Sequence, residues 1–244
     1  MDFFYLLGFM LRKEFFMQIT IGDFTFRLNK QRKSVVITKF NSDKKDVNIP
    51  ISITHNGMDY PVIAIEKEAF ADCVWLESIS IPGSVTKIGD NAFSWCCSLK
   101  SVTLPDGITE IGGGTFKACR GLESVTIPDS VTKIECGAFE CCYSLDSITI
   151  PDSVTEIGEG AFYACESLES ITIPDSITKI GAFAFHRCSA LKSVTLSDGI
   201  TKIDESWFVD CNNLSDIIIP GTEKAFPLWV SLMESGYADL VRQV

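Results

Sequence analysis

The chain has 244 residues, of which 46% are apolar and 22% are charged, and its 32 Asp and Glu against 21 Lys and Arg give a net charge of −11. This length and apolar content allow a sizeable buried core and exclude wholesale disorder. The acidic balance, without any long run of Lys or Arg, argues against nucleic-acid binding, because phosphates would be repelled over most of the surface.

Residues 1–16 form an apolar extension whose status the sequence leaves open. The apolar run from Phe3 to Leu11 is too short to span a membrane. Arg12 and Lys13 follow this run instead of preceding it, which is the wrong order for a secretory signal. Two interpretations stay open: Met17 is the true start, or the run is an unusual signal segment.

Residues 17–60 are predicted to form an N-terminal β cap for the repeats that follow. Alternating apolar residues indicate strands at 24–28 and 35–38 around a polar turn, and a third strand at 47–53. Asn56-Gly57 is a strong turn signal that leads into the repeats. Such a cap is needed because the first repeat otherwise exposes an unpaired strand edge and an open core.

Residues 61–222 are predicted to form a solenoid, because they contain a 23-residue period without insertion or deletion. One column of the repeat holds Phe70, Phe93, Phe116, Phe139, Phe162, Phe185 and Phe208. A second column holds Cys73, Cys96, Cys119, Cys142, Cys165, Cys188 and Cys211. A third column holds Leu, and two more hold Ile or Val. Five apolar columns in register over seven periods indicate stacked turns whose identical residues form ladders through a continuous core.

Each turn is predicted to contain two short extended pieces and a closing turn. The segment from Leu122 to Ile127 reads as a strand that pairs in parallel with its counterparts. Pro128 ends this strand, and a second extended piece then directs Val131 and Ile134 into the core. A short helical or 3-10 turn around Phe139 is expected to close the coil.

Residues 223–244 are predicted to form a C-terminal helical cap. Phe226, Leu228, Trp229, Leu232 and Leu240 have the spacing of one or two amphipathic helices that cover the last turn.

The repeat resembles the leucine-rich repeat superfamily and, more closely, its BspA-like class of 23-residue repeats. The phrase that carries the resemblance runs from Ile150 to Leu168, with Ile-Pro-Asp-Ser-Val-Thr-Glu-Ile-Gly followed by Ala-Phe and Cys-Glu-Ser-Leu. It implies a leucine-rich-repeat solenoid of about seven turns, with parallel β-strands and short helical or 3-10 turns. BspA-like proteins are typically bacterial or protist surface proteins that adhere to host proteins, matrix proteins or other cells.

The ten cysteines argue against both a zinc site and a disulfide framework. A zinc site needs close pairs that converge on one point, whereas this ladder places one thiol per turn along a line. In-register side chains point the same way, which is poor geometry for a disulfide. The ladder thiols are therefore expected to be free and buried. Whether the off-ladder Cys97, Cys136 and Cys141 form bridges stays open.

No catalytic residue, metal site or cofactor is expected. His55 and His186 lie far apart in the chain, without a Ser, Cys or carboxylate at a spacing that marks a triad. A column of aspartates could attract calcium, but Asp after Pro or beside Gly is ordinary turn chemistry, which is favoured here. The members of this column are Asp106, Asp129, Asp152, Asp175 and Asp198.

The candidate binding residues are strand positions that face away from the core. Their hydroxyl members are Ser101, Thr103, Ser124, Thr126, Ser147, Thr149, Ser170 and Thr172. Beside them runs a column of changing charge: Glu77, Lys100, Glu123, Asp146, Glu169 and Lys192. The functional interpretation is a hydrogen-bonding platform with selectivity encoded in the charges. The alternative is that short hydroxyl residues simply stack well on a sheet.

These features predict a non-enzymatic protein–protein recognition module, monomeric, without nucleic-acid binding or a membrane span. The resemblance implies adhesion at the cell surface or in secreted form, with host or matrix proteins as candidate partners. An intracellular scaffold, or a structural spacer without a dedicated ligand, is the alternative. A cytoplasmic location goes with this alternative, because residues 1–16 do not have the order of a typical signal peptide.

Overall fold

The computed structural model describes residues 16–243. The expectations for residues 1–15 therefore lie outside the described residues. Within residues 16–243, no helix has the length and apolar character that crossing a membrane would require.

The N-terminal part of the described chain is built from six strands. They are β1 (Phe16–Ile21), β2 (Phe24–Asn29), β3 (Ser34–Phe40), β4 (Asp46–Asn48), β5 (Ser52–His55) and β6 (Met58–Ile65). β1, β2 and β3 form an antiparallel meander, and β5 and β6 form an antiparallel hairpin around Asn56-Gly57. β3 pairs with β6 in parallel, so the hairpin is joined to the meander in one sheet.

The repeats form two rows of short strands, numbered in chain order. The first row contains β7 (Ser78–Ser80), β9 (Ser101–Thr103), β11 (Ser124–Thr126), β14 (Ser170–Thr172), β16 (Ser193–Thr195) and β17 (Asp216–Ile219). The second row contains β8 (Lys87–Ile88), β10 (Glu110–Ile111), β12 (Lys133–Ile134), β13 (Glu156–Ile157) and β15 (Lys179–Ile180). Partners lie one repeat apart, as Val102 opposite Val125 shows. The predicted solenoid with parallel strands is thereby confirmed.

The solenoid has about nine turns, against the seven periods counted in the sequence. β4 pairs in parallel with β7, which places Val47 opposite Ile79, and β6 pairs in parallel with β8. β4, which precedes the predicted repeats, therefore extends the first strand row on the N-terminal side, and β6, which overlaps their predicted start at residue 61, begins the second row. Parallel pairing requires only an extended backbone and an inward apolar residue, which Val47 and Ile65 supply.

The C-terminal residues combine helical turns with a strand. A 3-10 turn at Glu223–Ala225 leads into helix α1 (Phe226–Glu234), which buries Leu228 and Leu232. A second 3-10 turn is followed by β18 (Val241–Gln243), which pairs in parallel with β17. The sequence pattern anticipated helices here but not this strand, which covers the free edge of β17 with one further rung.

The core is a continuous stack of aromatic rings. Neighbouring rings of the phenylalanine column, from Phe70 to Phe208, have centroids 5.1 to 5.9 Å apart and are close to parallel. Phe40 extends the stack on the N-terminal side at 5.1 Å, and Tyr237 closes it edge-on against Phe208 at 5.7 Å. From Phe70 to Phe185 these rings are fully buried, as the ladder predicts.

The segments that close each coil are hydrogen-bonded turns, where the sequence suggested short helical or 3-10 turns. Their amides alternate between a local and a neighbouring acceptor. Phe139 N–H donates to the Ala161 carbonyl of the next turn at 2.8 Å, whereas Cys142 N–H donates to the Phe139 carbonyl at 3.2 Å. Gly137 and Cys141 have left-handed φ values of 60° and 59°, which bends the backbone so that this alternation is possible.

All ten cysteines are free. Six ladder thiols donate to the carbonyl oxygen of a phenylalanine 26 residues earlier, as Cys142 Sγ does to Phe116 O at 3.1 Å. Burial raises the pKa of the Cys142, Cys165 and Cys188 thiols well above the ordinary value. The ladder cysteines are therefore protonated packing groups, and Cys136 is the most exposed of the ten.

Candidate functional site

The first strand row presents a flat polar face, which we call the strand face. In β9, β11 and β14 the middle residue is buried and both flanking residues are exposed. The eight predicted hydroxyl residues from Ser101 to Thr172 are all exposed in this way. The structure thus brings them together as two columns that cross several turns.

The charge column beside the hydroxyl residues is largely paired within the molecule. Lys100 Nζ lies 3.4 Å from Glu123 Oε1, and Lys192 Nζ lies 2.9 Å from Glu169 Oε1. Asp146 stands between the two glutamates and, among the described residues, has no Lys or Arg partner. Its Oδ1 accepts a hydrogen bond from Ser147 Oγ at 2.7 Å. The centre of the strand face is therefore acidic, and two lysines frame it.

The strand row is interrupted at this acidic centre. Residues 147–149 occupy the position of a strand but lie unpaired between β11 and β14, so the row divides into two four-stranded sheets. Ile148 is half-buried, whereas Val125 and Ile171 in the neighbouring turns are buried. The break coincides with three stacked carboxylates on consecutive turns, whose mutual repulsion opposes close approach.

The aspartate column borders the strand face on its other side. One groove of about 610 Å³ is lined by Ser147, Thr149, Thr172, Asp152 and Asp175. A second groove of about 610 Å³ lies between the same columns at Ser101, Thr103 and Asp106. These carboxylates add negative charge along the hydroxyl columns, which favours a partner with basic groups.

The aspartates and the histidines are not grouped into a metal centre in the described part of the chain. Between residues 16 and 243, no three His, Cys, Asp or Glu side chains are grouped as metal ligands. Asp198 accepts a hydrogen bond from the Thr222 hydroxyl at 2.8 Å, which is turn chemistry. His186 stacks on Tyr163 with a centroid distance of 5.1 Å, and its Nε2 lies 3.7 Å from Asp210 Oδ2.

The sequence missed two features of this face. The pairing of Lys100 with Glu123 and of Lys192 with Glu169 could have been anticipated, since residues 23 apart stack directly. The interruption at residues 147–149 has a weaker signal, which is the run of three acidic residues in successive repeats at Glu123, Asp146 and Glu169.

Comparison with known proteins agrees with this architecture. The family model for the BspA type leucine rich repeat region matches residues 63–165 and 132–227, in six copies. A leucine rich repeat protein of T. pallidum is 27% identical, with 91% of this chain and 97% of that protein covered and a TM-score of 0.56. No curated protein matches the chain.

A second solved structure shares the fold. A leucine-rich repeat protein from Bacteroides ovatus is 21% identical, with 93% of this chain and 76% of that protein covered and a TM-score of 0.57. Repeat solenoids of this kind typically serve as binding scaffolds through extended surfaces. The unbroken 23-residue ladder and the family match over most of the repeats show that the chain belongs to the BspA-type leucine-rich repeat family.

Proposed function

We propose that this chain is a non-enzymatic adhesion module that recognises a protein partner through the strand face. The observation that carries the proposal is the exposure of eight hydroxyl residues in two columns over successive turns, with charged columns on both sides. A regular polar surface of this kind offers many hydrogen bonds, and the charges select the partner.

The charge pattern suggests the chemistry of the partner surface. Within residues 16–243, Asp146 has no Lys or Arg partner, and Glu123 and Glu169 each pair with one lysine. A partner with Lys or Arg opposite Asp146, and with acidic groups opposite Lys100 and Lys192, would match this face.

The adhesion role is supported by the family to which the chain belongs, whose members are typically surface proteins. An intracellular scaffold is the alternative, since a ladder of free thiols also suits a reducing compartment. The adhesion and scaffold interpretations are distinguished by fractionating the producing cells and sequencing the terminal peptide of the native protein. Adhesion requires the protein outside the cell, whereas recovery of an intact chain from the cytosol alone contradicts it.

The binding face is tested by reversing its lysines. We expect the chain to bind at least one protein of a purified extracellular-matrix panel, and K100E/K192E to weaken that binding by about tenfold or more. The matched control is K87E/K179E, which places the same charge change on the second strand row. Unchanged binding by K100E/K192E would rule out the strand face, and equal losses in both variants would point to net charge alone.

A further inference from the structure

A third groove crosses the turn side of the solenoid, away from the strand face. It has a volume of about 720 Å³ and extends over successive turns from Asn91 to Phe183. It shares no lining residue with the two grooves of the strand face. We call it the turn groove.

Three glycines form part of the floor of the turn groove. Gly114, Gly137 and Gly160 occupy equivalent positions in three consecutive turns, with φ values of 57° to 60°. Asn91 and Phe183 hold the same position in the flanking turns with φ values of 53° and 57°. Side chains are therefore compatible with this left-handed position. The Asn91 side chain covers Gly114, whereas Gly137 and Gly160 leave room above the floor.

Aromatic rings close one end of the turn groove. Phe183 is 43% exposed and has a left-handed backbone. Its ring lies edge-on to His186 at 5.6 Å, and His186 in turn stacks on Tyr163 at 5.1 Å. Tyr163 and His186 are half-buried, so Phe183 is the ring that this group exposes most. An exposed aromatic ring in a recess is suited to contact with apolar groups and with cations.

The charge of the turn groove is negative. Asp90, Glu140 and Glu159 line it, and Lys117 is the single Lys or Arg among its lining residues. Lys117 Nζ is paired with Glu140 Oε2 at 2.9 Å, which leaves Asp90 and Glu159 without a Lys or Arg partner in the described chain. Carboxylates that line the same groove as an exposed aromatic ring favour an ammonium or guanidinium group.

We propose that the turn groove binds an extended basic peptide segment of a protein partner. The peptide backbone lies over Gly137 and Gly160, and a Lys or Arg side chain reaches Glu159 on the side of Phe183. At ~4.8 Å per turn the groove is about 20 Å long, which about six extended residues span. This site is additional to the strand face and does not depend on its role.

Cys136 provides a direct test, because this exposed thiol lines the turn groove. The probe is the hexapeptide Lys-Gly-Lys-Gly-Lys-Gly with blocked ends, and the readout is the rate at which N-ethylmaleimide alkylates Cys136, measured by mass spectrometry. We expect the bound peptide to slow this alkylation about fivefold or more, and added salt to reverse the effect. The hexapeptide with Glu in place of Lys should give no protection.

Two variants assign the protection to the turn groove. G137N/G160N fills the floor with the residue type that Asn91 already carries at this position, and it should weaken peptide binding about tenfold. G57N, a Gly→Asn change at a left-handed hairpin position with open space around it, is its control and should bind normally. If G137N/G160N does not fold, E159Q takes its place, with E205Q at the equivalent position outside the groove as control.

The outcomes separate this site from the strand face. Absence of Cys136 protection by the Lys peptide, or full protection in E159Q or in folded G137N/G160N, would overturn the proposal. In K100E/K192E, the Lys peptide should protect Cys136 as strongly as it does in the natural chain. Failure of one face therefore leaves the other testable.

Discussion

At the scale of single residues, the phenylalanine ladder accounts for the core. Phe139 is fully buried and stacks on Phe116 at 5.5 Å and on Phe162 at 5.4 Å. The sequence was sufficient to place these rings, because one residue type recurring at a constant period in a solenoid must form a column.

Replacing one ring should therefore destabilise the fold strongly. We expect Phe139→Ala to lower the free energy of unfolding by about 3–5 kcal/mol, through lost burial and the cavity left between two rings. Phe226→Ala is the control. Because Phe226 is 62% exposed, its replacement should lower the free energy of unfolding much less. Urea denaturation measures both, and a negligible loss for Phe139→Ala would contradict the ladder.

For the cysteine ladder, the sequence predicted burial of the thiols but not their hydrogen bonds. Burial followed from the spacing, but the donation from Cys142 Sγ to Phe116 O depends on how the coil brings a carbonyl 26 residues away against the thiol. That distance is fixed by the closing turn. Its two left-handed positions, those of Gly137 and Cys141, do not keep one residue type through all repeats, since Asn91 and Phe183 stand where Gly137 does.

Native-state alkylation should follow this burial. Maleimide should modify Cys136 first and the half-buried Cys97 and Cys141 more slowly. The six buried ladder thiols should react only after unfolding, because burial and a raised pKa both suppress the thiolate. Mass spectrometry before and after denaturant addition gives the order, and native labelling of Cys165 at the rate of Cys136 would be inconsistent with this structure.

At the scale of elements, each 23-residue repeat is an interchangeable turn. Deleting residues 133–155 joins equivalent points of adjacent repeats and keeps every column in register. We expect this chain to fold cooperatively with reduced stability, because each turn contacts mainly its neighbours.

The control deletion removes residues 134–155, one residue fewer, and shifts all later columns by one position. We expect it to lose cooperative unfolding, because a one-residue slip turns buried side chains outward. Thermal melts by circular dichroism compare the two chains. Equal stability of both deletions would contradict a register fixed by the ladder.

The second strand row adds a ladder of alternating charge. Glu156 in β13 is hydrogen-bonded to Lys179 in β15, and its Oε2 lies 3.3 Å from Lys133 Nζ in β12. The hydrogen bond from Lys179, with a further contribution from Lys133, holds the pKa of Glu156 below its ordinary value of 4.5.

This lowered pKa determines how the stability of the fold changes with pH. A carboxylate with a lower pKa in the folded state stabilises the fold above its ordinary pKa, and this stabilisation is lost as the pH falls through the folded value. We expect Glu156→Gln to cost up to about 1 kcal/mol at pH 7, since the group is partly exposed. Denaturation at pH 7 and pH 3 should show a smaller cost in acid, and a cost that grows in acid would exclude this cause.

Two elements could not be predicted from the repeat pattern. β18 carries no repeat consensus, and it pairs with β17 because an unpaired edge accepts any extended segment that reaches it. The gap at residues 147–149 arises in a segment with ordinary strand residues, and it is distinguished by the neighbouring charges instead.

At the scale of the whole molecule, the ladder produces two long surfaces with different chemistry. The strand face is regular, rich in hydroxyl groups and framed by charge, whereas the turn groove is formed where Gly, Asn and aromatic residues vary between repeats. The strand face was predicted because its residues recur with the period. The turn groove was not predicted, since its walls come from positions that differ in each turn.

The most direct test of the strand face is site-specific photo-crosslinking to the bound protein partner. A photoreactive residue replaces Thr149 at the centre of the strand face, and in a second chain it replaces Glu205, which is exposed on the turn side. We predict that the partner crosslinks from position 149 and not from position 205. Crosslinking from position 205, with none from position 149, would contradict recognition through the strand face.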